Sequence, residues 1–486
     1  MHLTQFFVDG LGHASYLISS DETQEAAIVD PGRNLAVYFE AARQRDVRIR
    51  YVLETHVHND FLSGARQLAA ATGAEHVASA EAHLHFPYHP VRDGDALRLG
   101  ELWIKVLFTP GHTPEHVSYV VIDTARAEVP VLAFTGGDLL VGSVGRPDLL
   151  GKEVGEKLAP LLYDSLHGKI MQLDDYVEVL PTHGVGSFCG RGISGKRTTT
   201  IGYERRFNPA LQKKTKREFI DYVLSDNPGI PTYYRRMRPT NLAGPGPWQV
   251  PPPRPLPPSE VEHLAGHGAV VVDTRPCTAF GGAHLPRALN IGLGAMFATW
   301  VGWIVPADVP LLLVLTEDTQ WDDVLTRLGR IGYENVLGYL QFGIDSWIES
   351  NRPIFHLPQW SVEELRQRLT GDHLQLLDVR LEDEWQAGHI DGAAHIPLGD
   401  LPRRVGELDK RLTTAVICGT GYRSSIGTSI LEQNGFKDVV NTLGGMTAWY
   451  AATYPTTRAG TIVDEHAVAE QVRVQDEGVF FLRAKP

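Results

Sequence analysis

The chain has 486 residues, 43% of them hydrophobic, which is enough for more than one packed core. Its 45 Lys and Arg against 58 Asp and Glu give a formal net charge of −13, which argues against nucleic acid or an anionic membrane as the main partner. Three widely spaced cysteines, Cys189, Cys277 and Cys418, exclude a disulfide framework and suit a reducing cytoplasm.

The opening "MHLTQFFVDGLGHASYLI" has no basic run followed by an apolar one, so no export signal is expected and the protein reads as cytoplasmic. The runs "EAAIVD", "IRYVLETH" and "WIKVLFTP" read as strands, each ending in a turn rich in His, Asp, Gly or Pro, where function commonly sits. The stretch from Gly202 to Leu224, rich in Lys and Arg, reads as one helix, either a solvated face or a receiver for an anionic cosubstrate. The prolines of "NLAGPGPWQVPPPRPLPPSE", from Asn241 to Glu260, predict a semi-rigid spacer and a domain boundary. The apolar stretch from Phe297 to Leu315 contains Asp308 and two prolines, which predicts a loop and then a buried strand rather than a membrane span.

Beyond the spacer the sequence repeats. "VVDTRPCTAFGGAHLPRALNI" matches "LLDVRLEDEWQAGHIDGAAHI" at a constant offset, pairing Asp273 with Asp378, Arg275 with Arg380 and His284 with His389. Two copies of one α/β module are expected.

Before the spacer, separate strand-end loops carry metal-type ligands: "THVHND" (His56, His58, Asp60), "TPGHTPEH" (His112, His116) and "FTGGDLL" (Asp138), with "PTHGVGS" adding His183. This ordered set resembles the metallo-β-lactamase fold, across residues 1–240. The resemblance implies that a first metal draws on His56, His58 and His112 with Asp138 bridging, and a second on Asp60, the residue at 61 and His183. Position 61 is Phe, which has no lone pair to give and adds bulk, so the second site is expected to be lost. A single ion with open positions suits non-haem Fe(II) and dioxygen.

Within the superfamily the persulfide dioxygenases fit this description. Resemblance to them implies one Fe(II) per chain on His56, His112 and Asp138, with His58, Asp60 and His183 around it, steering the substrate sulfur. "GSVGRPDL" is similar to their Gly-Arg-x-Asp segment, which puts Arg146 and Asp148 near the pocket wall or leaves them as a structural pair. "HGV" at residues 183–185 departs from the His-Asp-Tyr of glutathione-linked members, so the thiol carrier stays open among glutathione, coenzyme A and other small thiols. Cys189, close in sequence to His183, is a candidate sulfur carrier or a structural cysteine.

"VICGTGYRSS" follows an apolar strand and precedes a helical run, so converging backbone N–H groups, the helix N-terminus and Arg423 should favour a Cys418 thiolate and a terminal persulfide. With "LLDVR" and "GHIDGAAHIP" it resembles the rhodanese sulfurtransferases, and its C-x4-R ring is shorter than the C-x5-R cradle of thiolate phosphatases. In the first copy the position of Cys418 falls on Leu315 or Thr316, and Cys277 aligns with Glu382, so that module is expected to be an inactive rhodanese.

The expected architecture is an α/β multidomain chain: a metallo-β-lactamase αββα sandwich over residues 1–240, a Pro-rich linker over 241–258, rhodanese-like domains over 259–356 (inactive) and 357–457 (active), and a tail over 458–486. It resembles bacterial persulfide dioxygenase and sulfurtransferase fusions. That implies oxidation of a thiol persulfide by O2 to sulfite, exchange of sulfane sulfur between Cys418 and sulfite or thiosulfate, a role in sulfide detoxification, and a homo-oligomer. Two alternatives stand beside it: a glyoxalase II-like thioester hydrolase fused to a rhodanese, and a non-catalytic sulfur-relay or sensor protein with a structural metal.

Overall fold

A computed structural model describes residues 1–458 apart from 226, 370 and 372, so the tail from residue 459 lies outside the described residues. The chain divides into two compact units, Met1–Gln249 with Arg330–Gly332, and Val250–Gly329 with Tyr333–Pro486.

In the first unit one six-stranded sheet runs in chain order through β1 (His2–Val8), β2 (His13–Ser19), β3 (Glu25–Val29), β4 (Arg48–Leu53), β5 (Glu75–Ser79) and β6 (His89–Val91). The second contains β7 (Ala96–Leu99), β8 (Leu102–Phe108), β9 (Val117–Asp123), β10 (Pro130–Gly136), β13 (Glu178–Pro181) and β14 (Thr199–Thr200), in the order β14-β13-β10-β9-β8-β7. A short ribbon of β11 (Leu139–Leu140) and β12 (Ser143–Val144) follows β10. Side chains alternate across each strand. Tyr16, Ile18, Ala27, Val29, Tyr119 and Val121 face the core between the sheets. Leu17, Ala26 and Ile28 pack outward with Tyr38 of the helix Ala36–Arg45 and Leu68 of the helix Ala65–Thr72. On the other outer face Val120, Ala133 and Val179 pack with Leu162 of the helix Lys152–Gly168 and Phe219 of the helix Lys216–Leu224. The result is the expected αββα sandwich, with the strand-end loops gathered where the site forms.

The basic stretch from Gly202 to Leu224 is two helices, not one: Ile201–Phe207 and Lys216–Leu224. Pro209 disfavours helical backbone at Asn208, which sits at ψ 118°, and Thr215 with Glu218 forms a capping box that starts the second helix. The segment after Phe297 also departs from expectation. It is a helix, Phe297–Ile304, apolar all round and buried from Phe297 through Trp303, followed by a strand.

The second unit holds two parallel five-stranded sheets. The first contains β15 (Pro255–Leu256), β16 (Val270–Asp273), β17 (Leu289–Asn290), β18 (Leu311–Val314) and β19 (Val336–Leu340), in the order β15-β19-β18-β16-β17. The second contains β20 (Gln359–Trp360), β21 (Leu374–Asp378), β22 (Ala394–His395), β23 (Thr413–Ile417) and β24 (Val439–Thr442), in the order β20-β24-β23-β21-β22. Both sheets place their strands first, fifth, fourth, second, third. The Pro-rich stretch is not a bare spacer. The carbonyls of Gly244, Gly246 and Trp248 accept hydrogen bonds from Arg66, Arg33 and Gln67 of the first unit's own body, and Pro255–Leu256 forms an edge strand, where proline is tolerated.

Candidate metal centre and cysteine loop

The loop after β4 is shaped by Asp30, at the end of β3. Its carboxylate accepts from the Thr55 N–H (2.8 Å) and the Thr55 hydroxyl (2.7 Å), accepts from the Thr182 hydroxyl, and lies 3.3 Å from His58 Nε2. One buried acid thus ties the "THVHND" loop to the loop carrying His183. Asp30 sits at φ 48°, in the left-handed region that Asp tolerates better than most residues, and its signal in the sequence was the strand-ending "IVDPG".

His56, His58, His112, Asp138 and His183 are all buried. His183 Nε2 lies 3.2 Å from His56 Nε2, while its Nδ1 lies 3.1 Å from Asp60. His112 Nδ1 donates to the Arg146 carbonyl at 3.0 Å, which leaves Nε2 with its lone pair and no hydrogen-bond partner. Asp138 Oδ1 accepts from the His112 N–H at 3.2 Å, and its Oδ2, with no hydrogen bond, lies 3.5 Å from His116 Nδ1. Burial pushes the Asp138 carboxyl well above the ordinary range and the His56 and His112 imidazoles well below theirs. Burial also opposes charge on His58, yet Asp30 beside it raises that imidazole. Unpartnered, fully buried ring nitrogens and a carboxylate oxygen fit a bound cation, which would satisfy them. Among the described residues, two groups bring three ligand atoms within 4.8 Å of one another: His56, His58 and His183, and His112, His183 and Cys189. His183 belongs to both, whereas Asp138 adjoins the cluster through His112.

Phe61 lies between two rings, stacked on His13 at 3.7 Å and on His58 at 4.3 Å between centroids. It fills the volume beside His58 with apolar surface. His116, in the same loop as His112, is differently placed: its Nε2 accepts from the Gly137 N–H and its Nδ1 meets the Thr109 hydroxyl, so both nitrogens are committed within the fold. Gly137 is required there, since a Cβ would collide with the His112 ring. Arg146 grips Asp148 through two hydrogen bonds (2.7 and 2.8 Å) and donates to the Pro228 carbonyl, so this part-buried pair is a strut in which the Arg146 backbone carbonyl orients His112. Cys189 is buried, with its thiol pushed well up by burial.

Sequence reasoning missed the helix Tyr234–Ala243. Asn241, assigned to the linker, donates to the His58 and Phe61 carbonyls (both 2.9 Å) and accepts from the Ser63 N–H (3.0 Å). Arg238 pairs with Glu115 through two hydrogen bonds, and Glu115 accepts from the Val57 N–H. These contacts span nearly the whole unit and leave no local mark in the sequence. Asn241→Ala should therefore destabilise the first unit by about 2 kcal/mol or more, since two carbonyls and an N–H lose a partner, and should weaken metal retention about tenfold or more. Denaturant unfolding and metal analysis after dialysis would check both.

The imidazoles of His13 and His116 are held down to about 3, first by burial. Unfolded histidines take up protons near pH 6.5 while these stay neutral, so the unfolded state binds more protons between pH 6.5 and about 3. Stability of the metal-free first unit should be full above pH 6.5 and fall progressively as the pH drops through that window, as followed by thermal unfolding.

In the second unit Cys418 follows directly on β23. Its Sγ accepts from the Gly421 N–H at 3.1 Å and lies 3.4 Å from the Ser424 hydroxyl, which donates to Asn441 Oδ1. Gly421, at φ 109°, turns the chain into the helix Tyr422–Gln433, whose N-terminus faces the sulfur. Arg423, expected to back the thiolate, holds its guanidinium in a buried two-point ion pair with Glu384 (2.6 and 2.7 Å). In the first copy the corresponding loop is capped: Gln320 Oε1 accepts from the Thr316 and Glu317 N–H groups. Cys277 is half-buried, and burial pushes its thiol up.

The chain matches the metallo-beta-lactamase superfamily over residues 8–196 and the rhodanese-like domain family over residues 361–452. A metallo-beta-lactamase of known structure from Staphylococcus aureus subsp. aureus COL is 32% identical with a TM-score of 0.64, over 70% of this chain and 98% of its own. The protein belongs to the metallo-β-lactamase superfamily and carries a rhodanese-like domain. Its first unit has relatives among the persulfide dioxygenases: the human "Persulfide dioxygenase ETHE1, mitochondrial" is 30% identical over 203 residues, 40% of this chain and 70% of its own. "Hydroxyacylglutathione hydrolase GloC" from Haemophilus influenzae is 27% identical over 216 residues, 40% of this chain and 91% of its own. Among the described residues no helix is long and apolar enough to cross a membrane.

Proposed function

We propose that the first unit is a mononuclear non-haem iron persulfide dioxygenase and that the module around Cys418 is a sulfurtransferase, joined in sulfide detoxification. The observation that carries this reading is Phe61, stacked between His13 and His58 at the position where two-metal hydrolases of the superfamily carry a ligand. Fe(II), held by His56, His112 and Asp138, would supply activation of dioxygen. The overall reaction takes a thiol persulfide, O2 and water to the thiol, sulfite and two protons. The S–S bond breaks, the terminal sulfur loses four electrons and O2 accepts them.

The chain's own groups do the rest. The Arg146 carbonyl keeps His112 in the tautomer whose Nε2 faces the cluster. His183, backed by Asp60, hands a proton to the departing thiol. His58 and the buried rings around it exclude water, which protects the persulfide from side reactions. Cys189, in a group with His112 and His183, is the residue best situated to relay sulfur within this unit. In the second unit the Cys418 thiolate attacks the outer sulfur of a thiol persulfide, breaking its S–S bond and releasing the carrier thiol; sulfite then attacks the outer sulfur of the Cys418 persulfide, forming thiosulfate and releasing the Cys418 thiolate, or the exchange runs in reverse. The persulfide carrier is a small thiol such as glutathione or coenzyme A, and the enzyme is a homo-oligomer.

Oxygen consumption with glutathione persulfide, alongside metal analysis, tests this reading: about one iron per chain with oxygen uptake is expected. The likeness to hydroxyacylglutathione hydrolase GloC favours a second reading, thioester hydrolysis. Two metals per chain and thioester cleavage without oxygen uptake would establish it instead. A metal with neither activity would leave a sulfur-relay protein.

A further inference from the structure

The helix that follows the Cys418 loop, Tyr422–Gln433, has no exposed face over most of its length: every residue from Arg423 to Leu431 is buried. A helix of this composition, "RSSIGTSIL", would ordinarily turn its hydroxyl side chains to water. Here the first copy, whose own loop at this position has no cysteine, meets part of this helix. The Tyr422 hydroxyl donates to the Gly292 carbonyl at 2.9 Å, and the Ser425 hydroxyl donates to Asn290 Oδ1 at 2.5 Å. Asn290 is itself fixed, because its Nδ2 donates to the Asp273 and Arg275 carbonyls and its N–H donates to the Ser429 hydroxyl. Further along, Gln433 donates to the Arg287 carbonyl.

These tethers sit next to the reactive sulfur in the chain. Tyr422 follows Gly421, whose N–H points at Cys418 Sγ, and Ser425 follows Ser424, whose hydroxyl lies 3.4 Å from the same atom. We infer that the end of β17, Asn290 to Gly292, is a positioning element for the Cys418 loop: the module with no cysteine in its own loop holds the turn of its neighbour in the geometry that directs the Gly421 N–H at the sulfur and keeps the Ser424 oxygen beside it. This gives a role to a module with a capped, nucleophile-free loop whose polar strand end, Asn290, is hydrogen-bonded against that helix. It rests on the reading of Cys418 as the sulfur-transferring thiolate. Tyr422, Ser425 and Asn290 touch no substrate in this account and act through the loop.

The test uses the full-length protein with Tyr422→Phe and Ser425→Ala, and with Ser425→Thr as the variant that keeps the hydroxyl. The readouts are the rate and pH profile of Cys418 alkylation by iodoacetamide, thiosulfate-dependent sulfur transfer, and oxygen uptake as an independent activity of the first unit. Loss of either tether should slow alkylation at neutral pH about fivefold, the size of one net hydrogen bond, and move the midpoint of the pH profile upward. Ser425→Thr should restore it, and oxygen uptake should be unchanged. Should Tyr422→Phe fail to fold, the Ser425 pair decides. Wild-type alkylation rates and pH midpoints in the folded variants would overturn the inference. Failure of the underlying reading looks different: Cys418→Ser would then leave sulfur transfer intact.

Discussion

Replacing His112 by Ala is expected to strip the first unit of iron and lower oxygen uptake by more than about a hundredfold, because loss of a ligand should exceed the ten- to hundredfold cost of losing a group behind one. Sulfur transfer by Cys418 should be unchanged, since that residue belongs to the other compact unit. Asp138→Asn separates metal loss from misfolding. Burial pushes the Asp138 carboxyl well up, so without a cation its charged form opposes folding, and an isosteric amide removes that opposition. The variant should lose iron and oxygen uptake while its metal-free form unfolds at the same or a higher temperature. Retained iron in either variant, measured by metal analysis, would show that His183 and its neighbours hold the ion without them.

Cys418→Ser should abolish sulfur transfer, by about a thousandfold or more, because a hydroxyl cannot carry the sulfane sulfur. Oxygen uptake with a small persulfide should continue at a similar rate, with sulfite accumulating where the wild type releases thiosulfate. Separating the two anions chromatographically checks this. An unchanged product ratio would mean that the rhodanese serves another acceptor. Loss of oxygen uptake would mean that Cys418 itself presents sulfur to the first unit.

The loops of both sites could be read from the chain because each is local. "THVHNDF", "TPGHTPEH" and "VICGTGYRSS" carry their candidate residues within a few positions, and the Phe at 61 and the Thr at 316, where a ligand and a nucleophile would be expected, are visible in the sequence too. Side-chain commitments were not. His116 looks like a ligand by residue type, yet Thr109 and the Gly137 N–H occupy its ring. Arg423 stands in the expected place in the loop, and its pairing with Glu384, from a distant segment, had no mark in the sequence. The Pro209 break and the Thr215 capping box were present as local signals, and charge density obscured them.

By itself the sequence determined that two candidate sites of different type share this protein, because each depends on residue types at short spacing: histidines on strand-end loops in one, a cysteine before a glycine-rich turn in the other. Only the tertiary structure decided how those residues are held. Asp30 joins two loops through one buried carboxylate, Asn241 reaches back from a helix to three backbone groups of the histidine loop, and Asn290 meets Ser425 across two modules. In each case a buried polar group must find its partner wherever the fold brings one, and the distance between partners along the chain carries no signal of it.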